Sequence, residues 1–248
     1  KSLVARSFKY HRPRGIVSAG VEEPNALFTL GGNEPNIPAT TVDLVEGLQV
    51  ATQNAWPSVD FDMRAVNSLA APMFQSGFYY KTFMGPFKKS WMFYEPFIRR
   101  AAGLGKATAE RDESRYDTLH EFCDVLVVGA GPAGQQAAVA AGRSGKRVVL
   151  VEQDNELGGS LLSERNRDFE SWRQAQVNDL LRFSNVKIRT RTTAQGLYDG
   201  NLVVLLQRHA EHNAARGTPR QTLVSLRAKS IVFATGAIER PLVFSNND

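Results

Sequence analysis

Gly129, Gly131 and Gly134 stand at the spacing G-x-G-x-x-G, which holds phosphate with backbone rather than with side chains. Gly129 permits a tight strand-to-helix turn. Gly131 has no Cβ to keep a pyrophosphate off the backbone, and Gly134 lets a helix lie close to a strand. Pro132 costs nothing in a first helical turn, where N–H groups lack intrahelical partners, and Ala130 and Ala133 fill the remaining places with small side chains. Phosphates would rest on those N–H groups at the positive end of the helix dipole. Glu152, 23 positions beyond Gly129, offers a carboxylate that accepts from ribose hydroxyls and repels a 2′-phosphate. These residues read as a site for an adenine dinucleotide, with NADP disfavoured. No paired carboxylates and no Ser/His/Asp or Cys/His arrangement accompany them, so no catalytic residue is assigned.

The elements that must position these groups are visible on either side. Residues 123–128 form an apolar, β-branched run, as in a parallel strand buried on both faces. An Ala-rich helix follows over 135–141, and 147–151 is a second strand closed by Glu152. Leu157, Gly158, Gly159 and Ser160 make a loop able to bring backbone to a ribose or pyrophosphate. Phe169, Trp172, Leu180 and Leu181 have rough helical spacing and are expected in the core. Residues 202–206 and 222–226 read as paired strands around a polar loop at 210–220, and 231–233 as a further strand ending in Ala234, Thr235 and Gly236. The fold expected is α/β: a Rossmann-type FAD/NAD(P)-binding half-domain over 121–248 with a β-meander insertion.

Two zones precede it. Residues 1–50 hold short β-like runs broken by Gly and Pro and read as a small α+β unit. Residues 51–120 read as an aromatic-rich packing segment and a linker. Rings from Phe74 to Phe97 are interleaved with Lys88, Lys89, Arg99 and Arg100, while Pro72, Pro86 and Pro96 bar one long helix. Such rings are expected to bury against a neighbouring domain or subunit. The charged stretch 106–121 suits the linker.

Composition narrows the classes. Apolar residues make up 42% and charged residues 22%, ordinary for a globular protein. No run approaches the roughly 18 apolar residues of a membrane helix, and no apolar leader follows Lys1, so no membrane partner is expected. The net charge of +5 is dispersed, which excludes a nucleic-acid partner. The single cysteine, Cys123, excludes a disulfide framework and a Cys-rich metal site, and reads as a small buried hydrophobe. His11, His120, His209 and His212 do not cluster at metal spacing. The localisation expected is cytoplasmic.

With these motifs in place the sequence resembles the alpha subunits of heterotetrameric sarcosine oxidases, within the two-dinucleotide-binding flavoprotein superfamily. The resemblance rests on residues 6–15 (with Lys9, Tyr10, His11, Arg12, Pro13, Arg14, Gly15), 21–26, 36–41 and 53–58, on the aromatic strip and the glycine fingerprint, and on 156–161 and 236–241. It implies a complex that demethylates sarcosine oxidatively to glycine, passes a one-carbon unit to tetrahydrofolate and forms hydrogen peroxide. It implies beta, gamma and delta partner subunits, NAD in this fold (FAD as the alternative), and FAD and FMN elsewhere in the complex. Carried onto this sequence, the cofactor contacts would be Gly129, Ala130, Gly131, Pro132, Ala133, Gly134, Glu152, Gln153, Gly159, Ser160, Thr235 and Gly236.

The N-terminal zone resembles a ferredoxin-like module in which four Cys can hold a [2Fe–2S] cluster. It has no Cys here, so it is expected to be cluster-less and structural. Set against the family, the chain reads as a fragment that is inactive alone and of marginal stability. Two other readings stand beside this one. The first is the FAD-bearing alpha subunit of a related amino-acid or opine dehydrogenase. The second is a non-catalytic scaffold stabilised by its nucleotide.

Overall fold

The computed structural model describes residues 5–6, 13–14, 27–31, 34–38, 42–53, 55–58, 60–64, 66, 90–101, 103–109, 111–209 and 217–237. They fall into two compact units, one within Lys1–Asp112 and the other Glu113–Ala237. Much of the quoted N-terminal string, the rings from Phe74 to Phe87, His11, His212 and residues 238–241 lie outside the described residues.

In the first unit β1 (Ala5–Arg6) pairs antiparallel with β2 (Pro13–Arg14). A three-stranded antiparallel sheet has the order β4-β3-β5, built from β3 (Leu27–Leu30), β4 (Glu34–Pro38) and β5 (Val50–Thr52). Phe28 and Leu30 are its buried residues. Beside them an amide network closes the loops. Gln53 Oε1 accepts from the Asn36 N–H at 2.7 Å, and Gln53 Nε2 donates to Asn36 Oδ1 at 3.0 Å and to the Gly103 carbonyl at 2.8 Å. The Gly105 N–H also donates to Asn36 Oδ1, at 2.8 Å. Asn36 itself has φ 64°, a left-handed conformation that Asn tolerates better than most residues.

Helix α1 spans Trp91–Ala101 with Pro96 inside it, a short helix within the strip rather than one long one; Pro72 and Pro86 lie outside the described residues. One missing donor does not end a helix whose Glu95 and Arg99 form an i,i+4 ion pair. Its rings are not buried within this chain, since Phe93 is 68% and Phe97 66% exposed.

The second unit has one six-stranded sheet of order β8-β7-β6-β11-β10-β9. Its strands are β6 (Tyr116–Val128), β7 (Val148–Val151), β8 (Val186–Arg189), β9 (Thr192–Tyr198), β10 (Leu202–Arg208) and β11 (Gln221–Phe233). The first four in the sheet run parallel, while β11, β10 and β9 form an antiparallel meander. Helices α2 (Pro132–Arg143) and α3 (Arg167–Arg182) provide the crossovers. Because side chains alternate along a strand, neighbours in β6 serve two cores. Val127 joins Val139, Leu150 and Leu180 in one core, and Leu126 joins Val151, Leu205, Val224 and Leu226 in the other. Each such side chain contributes about 1.5–3 kcal/mol on burial.

Three readings change. Residues 116–121, expected as linker, are strand, and the segments at 222–226 and 231–233 are one strand. Both changes have one cause: β6 and β11 pair along their length from Tyr116↔Gln221 to Val128↔Phe233, so a parallel ladder satisfies backbone whose composition looks loop-like. Finally, Phe169 and Leu181 are exposed, and of that stripe only Leu180 is buried. The polar first half of β6 also ties the sheet together. Buried Arg189 donates to Glu121 and to Gln207, and Lys187 Nζ lies 2.7 Å from Glu121 Oε1. Burial alone would raise the Glu121 pKa, but the hydrogen bonds from Lys187 and Arg189 outweigh it and hold the carboxyl below its ordinary range.

Candidate functional site

At the carboxyl ends of β6, β7 and β11 lies a cavity of about 470 Å³. The turn out of β6 forms its floor. Gly129 has φ 95°, and a Cβ there would meet the Ala234 carbonyl oxygen at 2.4 Å, so only glycine allows β6 and the turn after β11 to come this close. Behind it, a Cβ on Gly134 would fall 1.8 Å from the Gly129 oxygen, which fixes α2 against the strand. Gly131 differs: a Cβ there would meet nothing within 4 Å, because the residue faces open cavity. It is the N-cap of α2, with Pro next and no capping side chain, so the first-turn N–H groups have no partner from a cap.

The Ala130 peptide behind this turn is held from both sides. Its N–H donates to Glu152 Oε2 at 2.7 Å, and its carbonyl accepts from the Gly158 N–H and from Gln135 Nε2, both at 2.9 Å. Glu152 is itself 6% exposed, and its Oε1 accepts from the Asp154 N–H at 3.1 Å. Two carboxylate oxygens accept about four hydrogen bonds, so lone pairs remain for ribose hydroxyls. Gly159 has φ 54° and packs on the Gly131 backbone, where a Cβ would approach to 2.9 Å.

Ten of the twelve residues expected as contacts line this one cavity: Gly129, Gly131, Pro132, Ala133, Glu152, Gln153, Gly159, Ser160, Thr235 and Gly236. Ala130 and Gly134 stand behind the wall as supports. Sequence reasoning missed Asp154 and the trio Thr192, Thr193 and Ala194, which the meander's first strand delivers to the cavity wall. No motif marks them. Their only signal is position, directly after the third parallel strand.

The arrangement suits an adenine dinucleotide on physical grounds. An uncapped helix N-terminus, an unobstructed Gly131 and a buried carboxylate line the same cavity. Among the described lining residues there is no Lys or Arg to welcome an extra phosphate. Among the described residues there is also no metal-binding cluster of His, Cys, Asp or Glu, and no helix long and apolar enough to cross a membrane.

Known proteins share this pattern. Residues 124–233 match the family of FAD dependent oxidoreductases, and residues 1–55 match the 2Fe-2S iron-sulfur cluster binding domain. The second match does not carry its cluster over. The chain's one cysteine is Cys123, so residues 1–55 offer no thiolate to hold iron. The sarcosine oxidase alpha subunit of Rhizobium meliloti (strain 1021) is 48% identical over 100% of this chain and 26% of its own length. The protein of the same name from Corynebacterium sp. (strain U-96) is 35% identical over 96% of this chain and 21% of its own. The chain thus spans about a quarter of the length of these curated relatives. An opine oxidase subunit from Agrobacterium tumefaciens (strain Ach5) is 30% identical over 53% of this chain and 27% of its own length. Among solved structures, the L-proline dehydrogenase of P. horikoshii matches 99% of this chain and 37% of its own with a TM-score of 0.55 at 19% identity, a likeness of fold.

Proposed function

The chain is a homologue of the sarcosine oxidase alpha subunits, and on that premise we propose that it does the dinucleotide-holding work of such a subunit. The observation that carries this is convergence: the glycine turn, Glu152, the turn at 158–160 and the turn at Thr235 and Gly236 surround one cavity. In this reading the first-turn N–H groups of α2 hold the pyrophosphate, Gly131 gives it access, and Glu152 accepts from the ribose. Gln153, Ser160 and Thr235 bound the remaining walls. Bound there, a flavin or nicotinamide nucleotide would supply hydride transfer.

The whole complex would oxidise the methylamine of sarcosine, with beta, gamma and delta partners, FAD and FMN in the wider assembly, and a cytoplasmic location. Within the chain, residues 1–50 form a cluster-less ferredoxin-like module, 51–120 a packing segment, and 121–248 the nucleotide domain. For this fold's own nucleotide, the match of residues 124–233 to FAD dependent oxidoreductases supports FAD, while NAD rests on the family resemblance. The similarity to an opine oxidase subunit supports a second reading, a related amine-oxidising protein with a working FAD.

Acid release of bound nucleotide from the purified protein, followed by mass and absorbance, tests this. A yellow protein yielding FAD makes the fold a redox centre. A colourless one yielding NAD makes it a cofactor holder. Recovery of no adenine dinucleotide at all, with none taken up on titration, refutes the proposal.

A further inference from the structure

Gln135 is fully buried one position past Gly134, on a helix face where an apolar residue would pack without cost. Only half of its amide is satisfied. Nε2 donates to the Ala130 carbonyl at 2.9 Å, while the buried Oε1 has no hydrogen-bond partner. Turning the amide over would set Oε1 against the Ala130 oxygen, so the observed orientation is the better of two. An unsatisfied buried acceptor costs stability that a side chain of similar size without polar atoms would not. A group retained at such a cost calls for a reason beyond packing.

The reason lies in what it holds. The Ala130 carbonyl and the Gly131 N–H belong to one planar trans peptide and point in opposite directions. Two donors on that carbonyl, Gln135 Nε2 and the Gly158 N–H, therefore set the direction of the Gly131 N–H at the cavity wall. Glu152 fixes the preceding N–H, so the turn is held on both flanks before any ligand arrives. We propose that Gln135 is a positioning residue for the nucleotide cavity, holding the Ala130–Gly131 peptide with its N–H aimed at the pyrophosphate. The proposal rests on the reading that this cavity takes an adenine dinucleotide.

The test is Gln135→Met, with Gln135→Leu as a second variant should the first misfold. Thermal melting is followed alongside equilibrium titration with ADP and with adenosine. ADP is expected to bind about tenfold more weakly, the worth of one ordinary hydrogen bond. Adenosine binding stays unchanged, because it has no phosphate to meet Gly131. The melting temperature stays level or rises, because the orphan acceptor is gone. A lower melting temperature with unaltered ADP affinity overturns the proposal and makes Gln135 a plain core residue. An equal loss for ADP and adenosine overturns it too. If the unsubstituted protein binds neither compound, the cavity reading itself fails, and that result is distinct from either.

Discussion

The segment 1–55 and the segment 124–233 each match a family named for a redox cofactor, yet the first lacks every cysteine that a cluster needs, while the second keeps a glycine turn beside a cavity. In the nucleotide unit, contacts below van der Waals distance would follow from a Cβ at Gly129 or Gly134, and open space from one at Gly131. Each glycine there answers to a geometric demand. In the N-terminal unit no thiol exists to bind iron, while among the described residues Gln53 bridges Asn36 and Gly103. The contrast teaches that a fold outlasts its chemistry. A sheet can survive on burial and hydrogen bonds alone, whereas a site survives only in particular residues.

The sharpest way to break this comparison is Gly134→Ala. The added Cβ would lie 1.8 Å from the Gly129 oxygen, a backbone atom that cannot swing aside. Overpacking of that kind costs about 3 kcal/mol. Melting should fall by many degrees and bound nucleotide should be lost, as read by calorimetry and acid release. A variant that melts and binds like the parent would show that α2 need not sit tight on the strand.

A smaller effect is expected on the other side. Gln53→Leu removes the bridge while leaving the Asn36 N–H, the Asn36 Oδ1 and the Gly103 carbonyl with fewer partners. A loss of about 2 kcal/mol follows from polar groups left unsatisfied in partly buried surroundings. Nucleotide content per folded molecule should not change. If it dropped in parallel with stability, the N-terminal module would be contributing to the site, and the contrast between the two regions would collapse.

How much of this is legible in sequence differs between the regions for the same reason. Gly129, Gly131, Gly134 and Glu152 can be placed because each does its work through local backbone geometry that a short motif encodes. The trio Thr192, Thr193 and Ala194 cannot, since a meander sixty residues downstream brings it there and the side chains carry no signature. The first half of β6 misleads because charged residues such as Asp117 and Glu121 look like linker. In the folded sheet, pairing with β11 orders the backbone, the cations Lys187 and Arg189 hold Glu121, and Arg115 pairs with Asp117.

The smallest expected change concerns the chain's one cysteine. Cys123 lies in the middle of β6, 1% exposed, and burial pushes its thiol up to about 11. At pH 8 it is therefore overwhelmingly protonated, and the thiolate is the form that binds metal or attacks an alkylating reagent. Iodoacetamide at pH 8 should leave the folded protein unlabelled and modify it rapidly once denatured. The sign of the accompanying stability change is fixed as well. A raised pKa means that the folded state keeps a proton the unfolded chain gives up, so stability is full below about pH 9 and declines as pH rises toward 11. Cys123→Ala should flatten that decline. Fast labelling of the folded protein would instead make Cys123 an accessible, reactive sulfur, and its burial in the sheet would be refuted.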